Sequence, residues 1–319
     1  ARTASEEIEV VYTKSYGVST PRIIGDIGLR AFPFLLQEAL NLIITRKIDF
    51  IWIPVPSFYT AMLGRVLYKK TKVPYGIDYI DPWVRDIHNR NNLRAKLSIL
   101  TARILEPIAV KNAALISGVS TAYYEPVLQR NFKGRRVAHV GMPYGFDPND
   151  HKISLPNLPL PWNNMGDVEP IVYAGAFLPN SHLFIKCLFK AVKSLIVKGE
   201  WDKKKHFFFL GTGAYSGTSI GDYALLYGVE DVVTEVRERY PYLHIINYLS
   251  AASAVLVVGS TEKHYTASKT YQALLSEKPV LAVFHEESSA VKVLEECKAA
   301  TLLIKYKESV TVAALESDI

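Results

Sequence analysis

Cysteine is scarce: the 319 residues hold two, Cys187 and Cys297, far apart and each within an apolar pattern of helical spacing. That excludes a disulfide-framed scaffold and reads as two buried, reduced thiols. Long apolar runs are also missing. No stretch approaches the roughly 20 residues that span a bilayer, and the start Ala1-Arg2-Thr3-Ala4-Ser5 lacks the apolar core of a secretion signal. The expectation is a soluble, cytoplasmic chain, or one in peripheral contact with a membrane. No run of Lys and Arg interleaved with aromatics appears, which sets nucleic acid aside as a partner. Neither a metal-ligand cluster nor an aspartate pair is visible, so no metal or other cofactor is expected.

What is present is the composition of a folded protein. Apolar residues make up 49% of the chain and charged residues 21%, a balance that builds a core and argues against disorder. A length of 319 residues suits two domains. The net charge of +6 is divided unevenly: residues 1–150 hold 20 Lys and Arg against 13 Asp and Glu, the remainder 17 against 18. A basic first half suits an anionic partner, such as a membrane leaflet or a phosphate-bearing acceptor. A solvated basic face with no partner accounts for it equally well.

Strand and helix patterns alternate, which predicts parallel sheets covered by helices on both faces. In the first half, strands are expected at Ile8–Tyr12, Ile48–Val55, Tyr75–Asp81, Ala114–Ser120 and Arg136–Met142, with helices at Tyr59–Lys70, Leu93–Asn112 and Thr121–Phe132. Residues 143–168 carry five prolines and little periodicity, and read as a hinge. Strands at Pro170–Ala174, His206–Leu210, Val232–Val236, Ala254–Val258, Val280–Phe284 and Thr301–Lys305 then alternate with helices at Leu183–Val197, Tyr242–Ala252, Thr270–Ser276 and Ser289–Glu296. The expected division is an α/β domain over 1–150, a linker over 151–168 and a second α/β domain over 169–319, their sheets facing a cleft.

Residues 254–284 are the richest stretch: a buried strand, a polar loop, a helix opened by Ser268-Lys269, and a second buried strand at Lys278-Pro279-Val280-Leu281-Ala282-Val283-Phe284. A parallel strand-helix-strand unit puts such a loop at the carboxyl end of its sheet, where the helix start offers free N–H groups and a positive dipole end to an anion. Ser268 alone is explained as a helix cap worth about 1 kcal/mol. Lys269 is not, because a cation is unfavourable at a helix start unless an anion offsets it.

This stretch follows Gly118-Val119-Ser120-Thr121 and Met142-Pro143-Tyr144-Gly145-Phe146-Asp147 in order, and the set resembles glycosyltransferases with the B-type fold, particularly family 4. Ser276-Glu277-Lys278-Pro279-Val280 fits the family's helix end and strand entry. The family's two acidic positions fall instead on His264 and Gln272, with Glu262 two residues early. The resemblance implies two Rossmann-like domains with a nucleotide sugar bound by the second. It also implies a first strand and Gly-rich loop, which are expected to be missing from this sequence.

The same resemblance distributes roles. Gly175 and Ala176 in Tyr173-Ala174-Gly175-Ala176-Phe177, and Gly211-Thr212-Gly213, would lie near the diphosphate; as bare sequence they are equally well read as turn punctuation. Arg239 and Tyr240, in Arg237-Glu238-Arg239-Tyr240-Pro241, fall where the family binds the base, with a charged surface turn as the alternative. Tyr265, Thr266, Ser268 and Lys269 complete the donor site, and Gln272 would accept from a ribose hydroxyl. Glu262 or His264 would meet the sugar hydroxyls. Asp81, in Asp78-Tyr79-Ile80-Asp81-Pro82-Trp83, ends a strand and would be the acceptor-side carboxylate, unless it merely caps the turn through Pro82.

The function expected is sugar transfer from a nucleotide-diphosphate sugar to a lipid-linked or polysaccharide acceptor, without metal and with retention of configuration. Two rivals stand beside it. Nucleotide-sugar epimerases share the two-domain fold but rely on several cleft carboxylates, in which these strand-end loops are poor. A non-catalytic nucleotide-sugar binder is the other, kept open by the residues at 264 and 272.

Overall fold

The structure, a computed structural model of the chain, describes residues 8–17, 25–55, 57–84, 93–215, 217–260, 267–299 and 302–307. It divides into two compact units, Ala1–Pro143 and Tyr144–Ile319.

The first unit runs α1 (Ile27–Arg46), β1 (Ile51–Pro54), α2 (Ala61–Thr71), β2 (Tyr75–Tyr79), α3 (Leu93–Val110), β3 (Leu115–Gly118), α4 (Thr121–Asn131) and β4 (Ala138–Gly141). Its four strands are all parallel and lie side by side in chain order, β1-β2-β3-β4. Right-handed crossovers that always step the same way leave their helices on one face. The single core agrees: Ile53, Tyr75, Ile77, Tyr79 and Ile116 of the strands meet Leu63 and Leu67 of α2, Ala102 and Ala109 of α3, and Tyr124 and Val127 of α4. On the opposite face Phe50, Trp52 and Val140 remain largely exposed.

Two expectations for this unit change. Ile8–Tyr12 joins no sheet among the described residues. The chain there lies along α1, tied by Tyr16 N–H to the Arg30 carbonyl (3.2 Å) and by Glu9 to Arg46 (3.0 Å); its ties run to a helix, whose backbone groups are largely paired within itself and offer no ladder to a strand. The 20-residue α1 is long and apolar enough to cross a membrane by length and composition. Here its Phe32, Leu35, Leu36, Leu40 and Ile43 rest on the first unit's core.

The second unit runs β5 (Glu169–Ala174), α5 (His182–Lys198), β6 (Lys205–Leu210), α6 (Ile220–Tyr227), β7 (Val233–Val236), α7 (Tyr242–Ala251), β8 (Ala254–Val258), α8 (Lys269–Leu275), β9 (Val280–His285), α9 (Ser289–Glu296) and β10 (Leu302–Tyr306). The strand order β10-β9-β8-β5-β6-β7, all parallel, is that of a doubly wound nucleotide-binding sheet. Because the order reverses between β5 and β8, helices cover both faces. Tyr173, Phe207, Phe209 and Leu256 pack under α5 and α6, while Val172, Phe208, Val255, Val257 and Ala282 pack under α7, α8 and α9. Helix α6 carried no clear periodic signal in the sequence. It is fixed by a capping box, Ser219 with Asp222, and stopped by Gly228 in left-handed conformation.

The proline-rich stretch read as a linker is carried by the second unit. Asn247 of α7 accepts from Leu155 N–H and donates to the Ile153 carbonyl, both at 2.9 Å. Trp162 is buried against Phe208 and Tyr248. Cys187 is buried as expected, whereas Cys297, at the end of α9, is exposed.

In the first unit α3 is held by one buried carboxylate. Glu106 accepts from Arg130 through both oxygens (2.9–3.1 Å) and from Asn131 (2.8 Å), both on α4. Glu106 is 1% exposed and Arg130 36%, so the two ends of this pair are not equivalent. Arg130→Ala strands a buried charge and is expected to cost about 3 kcal/mol, whereas Glu106→Gln keeps a hydrogen-bonding group and frees an arginine that reaches water. Urea unfolding of the two variants should show the larger loss for Arg130→Ala; equal losses would refute this reading.

Candidate functional site

Where the strand order reverses, the chain leaves β5 and β8 toward opposite faces, and a crevice opens beyond their carboxyl ends. Two segments border it among the described residues: Gly175–Ser181 after β5, and Gly259, Ser260, Ala267 and Ser268 between β8 and α8. Ser181 ties them together, donating its buried hydroxyl to the Gly259 carbonyl at 2.6 Å.

Lys269, the first residue of α8, reaches across this reversal. Its Nζ lies 2.5 Å from Tyr173 Oη and 2.9 Å from the Ala176 carbonyl, and 4.2 Å from the centre of the Tyr173 ring. Tyr173 in turn donates to the Ala176 carbonyl at 2.8 Å. Both partners of the ammonium are neutral. Desolvation accordingly pulls its pKa from 10.5 down to about 7. Gly175 makes the approach possible: its φ is +118°, and a methyl group there would come within 2.7 Å of Lys269 Cε. Ser268 makes no capping bond from its side chain, so the capping explanation of its hydroxyl is not realised.

The glycines after β6 are set by the strands beside them. Gly211 and Gly213 both have positive φ; their N–H groups donate to the carbonyls of Val236 (2.8 Å) and Arg237 (2.9 Å). Phe177 N–H donates to the Thr212 carbonyl at 3.0 Å, linking the loops after β5 and β6. Glu235 of β7 fixes the rest of this corner, a role that the sequence did not signal. Its carboxylate accepts from Thr212 Oγ1 (2.6 Å), Tyr215 Oη (2.8 Å) and Gly221 N–H (2.9 Å). Burial, with this carboxylate alongside, raises the Tyr215 phenol well above its usual range.

Of the base-loop candidates, Arg239 is exposed, and Tyr240 spends its ring against Tyr248 of α7, with centroids 5.2 Å apart. Arg237 is the residue of this loop that reaches the glycines, donating to the Gly213 and Tyr215 carbonyls (both 3.3 Å) and covering the Tyr215 ring. Gln272, one turn along α8 from Lys269, stands close enough to the Tyr242 phenol to lower its pKa, against burial and Asp150, which raise it. Phe146 stacks on Tyr271 at 5.0 Å, so the segment at the start of the second unit borders α8.

Lys269, Gly175 and Ala176 are thus brought together, Gly211, Thr212 and Gly213 line the adjoining loop, and Ser268 and Gln272 flank Lys269 on its own helix. Glu262, His264, Tyr265 and Thr266 lie outside the described residues. Asp81 belongs to the first unit, where it is exposed just past β2. Its neighbour Trp83 is buried and stacks on Phe58 at 6.0 Å. Inside β2, Asp78 is buried and accepts from Ser117 at 2.6 Å; burial raises its carboxyl, opposed by that bond.

No family model and no curated protein matches this sequence. Solved structures do match in shape. A UDP-forming trehalose-phosphate synthase from Burkholderia xenovorans shares 13% identity over 91% of this chain and 68% of its own, with a TM-score of 0.62. Anabaena Alr3699/HepE, solved with UDP, shares 16% over 91% and 72%, with a TM-score of 0.61. The N-terminal domain of a trehalose-6-phosphate phosphatase from Candida albicans shares 15% over 92% and 70%, with a TM-score of 0.62. At these identities the likeness establishes the fold: the chain has the two-Rossmann architecture of B-type glycosyltransferases.

The depressed pKa of Lys269 has a sign that can be tested. The unfolded lysine holds its proton up to about 10.5 and the folded one only to about 7, so the folded state gains stability as pH rises through this window and carries the full penalty below it. Lys269→Met removes the penalty. Its melting temperature relative to wild type should be most favourable at pH 6 and decline toward pH 9.5; a difference that does not vary with pH would refute the buried-ammonium reading.

Proposed function

We propose that the second unit binds the diphosphate of a nucleotide sugar at the Lys269–Gly175 corner, and that the chain transfers the sugar to an acceptor held by the first unit. The observation that carries this reading is the ammonium of Lys269, held on neutral partners at the sheet's reversal point. A desolvated cation with no carboxylate against it among the described residues is a costly arrangement that an anionic ligand relieves. Arrival of a diphosphate favours the charged form, so binding near neutral pH takes up a proton. When the glycosidic bond to the diphosphate breaks, the growing negative charge meets Lys269 and the neighbouring amides in a site of low dielectric. In this proposal that charge stabilisation takes the place of a metal ion.

The remaining roles follow the same frame. Ser268, Gly175 and Ala176 border the diphosphate, Gly211–Gly213 and the Arg239–Tyr240 loop border the base, and Gln272 takes the ribose. Glu262 or His264 meets the sugar hydroxyls, and Asp81 serves the acceptor. The acceptor proposed is a polysaccharide or lipid-linked saccharide, with retention of configuration. UDP is the first diphosphate to test, since UDP accompanies HepE in its solved structure. A non-catalytic binder is the second reading, favoured by the residue at 272, a glutamine where the resembled family carries an acid.

Titration calorimetry with UDP, GDP and ADP should find one tight binder. Lys269→Ala should weaken it by about 1.5–3 kcal/mol, the range for a hydrogen bond to a charged group. Unchanged affinity in the folded variant would sink the assignment. Incubation with the corresponding nucleotide sugars separates the readings: a transferase releases nucleoside diphosphate, an epimerase changes the sugar without releasing it, and a binder does neither.

A further inference from the structure

Helix α3 is amphipathic in an unusual sense, since its outward face is apolar as well as its core face. Ala102, Ala109 and Val110 are buried in the first unit's core, and Leu105 packs against it. On the opposite side Leu97, Leu100, Ile104 and Ile108 are 54%, 55%, 55% and 37% exposed. Their spacing of three, four and four residues aligns them in one stripe, about 16 Å long at 1.5 Å per residue.

This exposure does not come from a loosely held helix. Glu106 is clamped by Arg130 and Asn131, and three side chains close the carbonyl end. Arg65 donates to the Ile108 carbonyl (3.0 Å), Tyr75 to that of Ala109 (2.6 Å) and Arg135 to that of Lys111 (2.6 Å). Guanidinium groups at a helix carboxyl end are favourable on their own account. The stripe is thus presented on a fixed platform.

Among the described residues, the exposed charges of α3 and its carboxyl end have one sign. Lys96 and Arg103 on α3, and Lys111 just beyond it, are exposed, while the acid of this helix, Glu106, is buried and paired. An exposed aliphatic stripe bordered by cations has the pattern of a helix lying in the plane of a lipid interface, its apolar face among the acyl chains and its cations at the phosphates. We propose that the outer face of α3 docks the first unit on an anionic bilayer, with Leu97, Leu100, Ile104 and Ile108 entering the interface and Lys96, Arg103 and Lys111 meeting the headgroups. A second copy fits less well, since a two-fold contact through this face would set the same cations against one another with no exposed acid on α3 to offset them. The proposal is independent of the donor site, and vesicle binding requires no nucleotide.

Co-flotation with vesicles of phosphatidylcholine alone, and of phosphatidylcholine mixed with phosphatidylglycerol, tests it on the full chain. Wild type should bind the mixed vesicles, less so as salt rises. Leu100→Gln with Ile104→Gln should weaken partition by about tenfold or more. Lys96→Gln with Arg103→Gln should weaken it by about fivefold per cation. The second pair changes only exposed side chains, so it keeps the test open should the first pair fail to fold. Failure to bind mixed vesicles, equal binding to both kinds, or indifference to the cation pair would overturn the proposal. Sedimentation that reveals a dimer abolished by Leu100→Gln would overturn it too, in favour of a second copy.

Discussion

The second unit is organised around the problem of holding an ammonium out of water. Lys269 sits where the sheet reverses its order, and its neighbours make sense in relation to it: Tyr173 offers oxygen and ring face, Ala176 turns its carbonyl inward, and Gly175 gives up a side chain to let the lysine pass. The interactions are neutral and short-ranged, enough to position the group and too weak to replace its hydration. On the function proposed, the site is poised for an anion before one arrives, the kind of preorganisation that stabilises a leaving charge.

A second layer of constraint surrounds that point. Glu235 has its oxygens taken up by Thr212, Tyr215 and Gly221, and Arg237 closes the same loop from the other side. The loops beyond β5, β6 and β7 therefore form a connected network, in which moving one carboxylate would disturb several backbone amides. The first unit shows the same economy in α3, where a buried pair and three side chains on the carbonyl end fix a helix whose outer face is apolar.

Periodicity in the sequence located nearly all of the strands and most of the helices, since parallel strands buried on both faces are continuous apolar runs that stand out between polar loops. It misassigned Ile8–Tyr12, whose apolar residues have the right spacing for a strand but whose chain is tied to α1, and it passed over α6, which depends on its caps more than on a pattern. Gly175 and Lys269 were legible because a glycine at a strand end and a lysine at a helix start each break a local rule. Tyr173 and Glu235 were not. They look like an ordinary core aromatic and a surface acid; Tyr173 meets Lys269 where the strand order reverses, and Glu235 reaches Thr212 from the neighbouring strand β7. Lys269 also showed its significance only in three dimensions, where its partners proved neutral.

The two sheets differ in how far apart in the chain their partners lie. In the first unit every strand pairs with the next one made, as in Ile51 with Tyr75 and Gly76 with Leu115, so the sheet can grow as the chain emerges. In the second unit β5 is central, and one of its edges waits for β8, pairing Ile171 with Ala254. Closing so long a loop is entropically slow. During synthesis, then, the first unit can be complete while β5 still presents an open, apolar edge, the form in which strands associate wrongly. The reversal that brings Lys269 against Tyr173 also leaves that edge of β5 open until β8 has been made.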